Sequence, residues 1–105
     1  VTSTIETHIL RMTVDALLTI TGKVGLCYED DWDGDLTITA ETSWETIQAE
    51  AYACDSCTLR VGSKWVWFIW DNGEDGLTCI ADYTVSLEDV MMPVFDWIEV
   101  EESEQ

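Results

Sequence analysis

The residues best suited to chemistry are acids set around a tryptophan and a glycine. Asp31-Trp32-Asp33-Gly34-Asp35 puts carboxylates on alternate residues about a turn. Oxygens so spaced can serve Ca²⁺, a hard cation that takes about six to eight oxygen ligands. An EF-hand loop, however, places its glycine two positions later, where this chain has Leu36, and closes on a Glu where this chain has Thr42. The stretch therefore reads as an acidic hairpin turn. A second candidate is Cys54-Asp-Ser-Cys57, which could hold Zn²⁺ if Cys27 and Cys79 completed the ligand set. A second Cys-x-x-Cys pair is missing from the sequence, and the motif precedes a predicted strand, not the strand-to-helix junction of a redox site. The four thiols read more simply as small, partly buried hydrophobes, with no cofactor expected. His8 is the only histidine. Nucleophilic catalysis needs a base oriented by a third group, and no Ser or Cys stands near His8 in the sequence. It reads as a surface or boundary residue. With 22 acids in 105 residues, neighbouring carboxylates arise by chance, so no acid–base pair stands out. No enzyme is expected.

The charge is the anomaly. Asp and Glu number 22 against 4 Lys and Arg, a formal net charge of −18. The cations are Arg11, Lys23, Arg60 and Lys64, so few carboxylates can find an ion-pair partner. The rest must face water and repel one another, which favours solubility at a cost in stability. Such a surface rejects nucleic acid and acidic membranes and attracts cationic proteins. Apolar residues make up 47% of the chain, six of them Trp, which is not the composition of a disordered acidic tail. The length suits a single domain spanning residues 1–105, able to bury roughly 65% of the surface of its unfolded chain. Val1 to Ile20 has neither the basic start nor the continuous apolar core of a secretory signal. No run approaches the ~20 apolar residues of a membrane span. The cysteines are read as reduced thiols and the protein as cytoplasmic.

The elements that must position these residues follow from periodicity. Ile5, Ile9, Met12, Ala16 and Ile20 recur at helical spacing, with Leu10, Val14 and Leu17 beside them. Ser3-Thr-Ile-Glu6 fits a capping box and Gly22 a C-terminal stop, so a helix is predicted over 4–21. Short strands are predicted over 24–28 and 36–40, flanking the acidic turn. Residues 43–54 fit both strand and helix periods. Ser43 as N-cap and the Ala, Glu and Gln content favour a short helix. An antiparallel meander is predicted over 58–61, 64–70 and 77–82. Its middle strand, Lys64-Trp-Val-Trp-Phe-Ile-Trp70, is apolar on both faces, so it should be covered from two sides, with Trp67, Phe68 and Ile69 in the core. A last helix should start at Ser86, with Leu87, Val90, Met91, Val94 and Ile98 facing inward and Pro93 kinking or restarting it. An acidic tail over 99–105 should fray. The expected class is α+β: an antiparallel sheet of four or five strands with N- and C-terminal helices packed on it.

Two tryptophans fall outside this core pattern, Trp32 in the acidic turn and Trp97 off the main stripe of the last helix. A Trp ringed by carboxylates suits an interface anchor, the ring supplying buried area and the acids steering a cationic partner. The acidic clusters are Glu29, Asp30, Asp31, Asp33 and Asp35 around Trp32, and Asp71, Glu74 and Asp75 after the central strand. In size, composition and acidic clustering the chain resembles the small acidic inhibitors of phages and mobile elements that act as DNA mimics, such as anti-CRISPR proteins, anti-restriction decoys and inhibitors of uracil-DNA glycosylase. The resemblance implies a protein inhibitor acting in the host cytoplasm. Its partner would be a basic nucleic-acid-binding protein, such as a CRISPR effector, a restriction enzyme or a nuclease. Carboxylates on alternate strand residues are ~6.6 Å apart, of the order of the phosphate spacing. Much of protein–DNA affinity comes from charge neutralisation, which such carboxylates can capture. Rival readings are an immunity protein against a cationic nuclease toxin, a small metal-binding protein using the Cys residues or the acidic turn, and a halophilic surface.

Overall fold

A computed structural model describes residues 4–27, 36–70 and 76–104. Helix α1 spans Thr4–Thr21 and stops where Gly22 turns left-handed at φ +78°, its amide reaching the Leu18 carbonyl at 2.9 Å. Strands β1 (Val24–Cys27) and β2 (Leu36–Ile38) follow, then α2 (Trp44–Ala51). The Ser43 side chain accepts from the Thr46 amide and caps α2, which resolves the 43–54 ambiguity as a helix. Strands β3 (Ser56–Val61), β4 (Lys64–Ile69) and β5 (Ile80–Tyr83) come next, then a 3₁₀ turn at Val85–Leu87 and α3 (Glu88–Ser103). The fold is α+β, with N- and C-terminal helices as expected.

The strands form one antiparallel sheet in the order β2-β1-β3-β4-β5. Val24, Leu26 and Ile38, Cys57, Leu59 and Val61, and Val66 and Phe68 share one face. The helices bury that face with Ile9, Leu10, Val14 and Leu17 of α1, Ile47 and Ala51 of α2, and Met91 and Val94 of α3. The stripe of α1 that turns fully inward is Glu6, Ile9, Leu10, Thr13, Val14 and Leu17, while Ile20 stays exposed. Thr13 is accommodated because its hydroxyl donates to the Ile9 carbonyl at 2.8 Å. Trp70, just past β4, stacks on Phe68 and meets Tyr52 edge-on. Its Nε1 donates to the Ala51 carbonyl at 2.7 Å and ties the end of α2 to the sheet.

Three expectations are corrected. Among the described residues the helices cover β4 on one face only, the Val66–Phe68 side. Trp67 is 40% exposed and Trp65 and Ile69 are half-buried, so only Phe68 of the three expected core residues lies in the core. The strand expected over 77–82 begins at Ile80, and the β4–β5 register shifts at Trp67/Phe68. Residues 99–103 are not a separate tail but the last turns of α3, which also runs through Pro93.

Candidate partner-binding surface

All nine residues expected to contact a partner, Glu29, Asp30, Asp31, Trp32, Asp33, Asp35, Asp71, Glu74 and Asp75, lie outside the described residues. The sheet nevertheless determines where their segments are attached. The first leaves β1 after Cys27 and returns at Leu36. The second leaves after Trp70 and returns at Gly76. β1 and β4 are each antiparallel to β3, so they run in the same direction and end at the same end of the sheet. Cys27 is level with Thr58, and Thr58 with Trp67. Both acidic segments therefore join the sheet at one end, about two strand spacings apart, or ~10 Å. Asp55 is at that end too, its carbonyl accepting from the Trp70 amide at 2.8 Å.

The opposite end carries most of the cations. Lys23 immediately precedes β1, Arg60 pairs with Gly25 and Trp65, and Lys64 pairs with Val61 at the β3–β4 turn. Three of the four cations thus gather away from the acidic attachments. β5 runs toward this basic end, and α3 returns from it. The Trp97 ring lies 4.4 Å from that of His8, in the second turn of α1. Beyond Trp97, Glu99, Glu101, Glu102 and Glu104 continue toward the end where α1 begins. Acids are present at the other end as well, Glu41 after β2 and Glu88 and Asp89 in the first turn of α3, so what distinguishes the two ends is the joining of both acidic segments to one and the gathering of three cations at the other.

The other candidate chemistries do not assemble. Among the described residues no three His, Cys, Asp or Glu side chains converge as metal ligands. Cys27, Cys54, Cys57 and Cys79 cannot complete one site, because Cys27 and Cys57 point to opposite faces of the sheet and Cys54 is exposed. Burial pushes the Cys79 thiol up to about 12, with the Glu6 carboxylate adding to the effect. Burial drives the Cys57 thiol up further, with the charges of Cys27, Cys79 and Cys54 adding to the effect. These are packing thiols, poor nucleophiles near neutrality. His8 is exposed and its ring is engaged by Trp97. A cleft of about 310 Å³ between α1 and α2 contains Arg11, Asp15 and Trp44, but neither Cys nor His. The guanidinium of Arg11 lies over the Trp44 ring, 5.3 Å from its centroid.

Two features escaped the sequence reading. Glu6, assigned to a capping box with Ser3, is buried at 1% exposure beside Tyr52 and Cys79. Its spacing from Leu10, Thr13 and Leu17 was the available signal, since all four share one helical face. The other is the exposed side of β4. There Trp67 stands opposite Thr58 on β3 and Asp82 on β5. Its signal was the Trp-x-Trp alternation, which had been absorbed into the core. No helix is long and apolar enough to cross a membrane among the described residues. Comparison with protein-family models, curated proteins and solved structures found no match to this chain.

Proposed function

We propose that this protein is an inhibitor that occupies the basic nucleic-acid-binding surface of a cytoplasmic partner, in the manner of a DNA mimic. The observation that carries this reading is that both acidic segments join the sheet at one end. A net charge of −18 alone would attract any cation without orientation. Joining both acidic segments to one end of the sheet, with Lys23, Arg60 and Lys64 at the other, gives the attraction a direction. The acidic segments lead, and Lys23, Arg60 and Lys64 are held away from a cationic groove. A surface built to hold phosphates repays carboxylates in the same way, by charge neutralisation.

The test is capture of the partner from a lysate of the source cell with tagged protein as bait, repeated with excess duplex DNA. Recovery of a nucleic-acid-binding protein that DNA suppresses is the expected result. Retention despite DNA would replace occlusion with a contact away from the DNA site. Reversal of Asp31, Asp33 and Asp35 to Lys should abolish capture while leaving the circular dichroism spectrum unchanged. Full-strength binding by that variant would move the contact elsewhere.

A further inference from the structure

The face of the sheet turned away from the helices holds an aromatic residue that the core does not use. Trp67 is 40% exposed. Trp65 and Ile69, one step to either side on the same face, are half-buried and stand outside the hydrophobic cluster. Directly across from Trp67 on β5 is Asp82, itself exposed. Opposed residues on neighbouring strands bring their Cβ atoms to about 5 Å. One oxygen of Asp82 accepts from the Tyr83 amide at 2.8 Å, which holds the carboxylate in place. A carboxylate has a second oxygen and further lone pairs to offer.

An indole face beside a fixed carboxylate matches one side chain better than any other. The arginine guanidinium is planar, stacks on an aromatic ring and donates N–H bonds from its edge at the same time. A lysine ammonium presents a hydrated point charge and cannot do both as well. The same pairing occurs within this protein, where Arg11 covers Trp44. The position also suits a cationic partner. Trp67 is level with Cys27, after which the first acidic segment leaves, and is followed within β4 by Phe68 and Ile69, beyond which the second leaves.

We propose that Trp67 and Asp82 together form a receptor for an arginine side chain of the partner, so that the helix-free sheet face is part of the contact surface. This rests on the reading of the partner as a cationic, phosphate-binding protein, whose surface would carry arginines for that purpose. Arginine is thereby selected over lysine at this point, and the acidic segments supply the long-range attraction.

The experiment is calorimetric titration of the full chain at low salt with oligo-arginine and oligo-lysine peptides of equal length. The expected result is tighter binding of oligo-arginine by about two- to five-fold, the range of a partly exposed cation–π contact. Trp67→Leu should remove that preference by weakening only the arginine peptide, and Asp82→Asn should reduce it. Thermal melts check that each variant folds. Equal binding of both peptides by the wild type would overturn the proposal while leaving a charge-driven cationic partner intact. A preference that survives in both variants would overturn it as well. Binding of neither peptide would remove the cationic-partner reading itself, and the proposal with it.

Discussion

Half-buried Tyr52 and buried Cys79 lie near Glu6, Cys57 is buried close to both, and each resists ionisation. Burial raises Cys79 from 9.0 to about 12, and raises Tyr52 from 10.0 to about 12 against the opposing hydrogen bond to Thr7. It raises Cys57 as well. The unfolded chain therefore releases these protons first as pH rises. The stability they contribute is complete below pH 9.0 and is lost progressively toward about 12. Urea unfolding should show a midpoint falling through that window, with a slope of up to about 1.4 kcal/mol per pH unit for each buried thiol. Cys79→Ala should make the fall shallower. A midpoint unchanged to pH 11 would mean that the thiols are not held protonated by the fold. The number of cysteines was legible in the sequence. Their division between two sheet faces was not, because it depends on the β1–β3 register.

At the scale of elements, α3 carries a residue that works against it. Pro93 lies inside the helix, where it has no amide to offer the Asp89 carbonyl, and its side chain is exposed. The helix persists because Leu87, Met91 and Val94 are buried against the core and Trp97 packs on His8. Pro93→Ala should therefore stabilise the protein by about 2 kcal/mol. That is the helix-interior penalty of roughly 3 kcal/mol less the lost restriction of the unfolded chain. Chemical denaturation checks it, and a destabilised variant would show that the ring packs against something the helix needs. The bounds of α1 were readable because its apolar period is strong and Gly22 stops it. β5 was misplaced by three residues at its start because the shift opposite Trp67 and Phe68 leaves no mark in a single sequence.

For the whole molecule, 18 uncompensated negative charges act on stability and binding in opposite senses. Salt screens their mutual repulsion, so the thermal midpoint should rise between roughly 0.01 M and 0.5 M NaCl. The same screening should weaken capture of a cationic partner over that range. A midpoint that falls with salt would mean that attractive pairs outweigh repulsion in the folded state. Binding indifferent to salt would remove charge as the source of recognition.

The sequence by itself determined the α+β class, the terminal helices and the negative net charge. Helix and strand periods are local properties, and net charge is a sum that no fold can change. Only the tertiary structure decided which side of the apolar β4 strand enters the core, since that depends on the helices all packing on one face. It alone set Asp82 beside Trp67. It alone joined two acidic segments, far apart in the chain, to the same end of the sheet. Strand order and direction set those proximities, and they are settled by packing between elements distant in sequence.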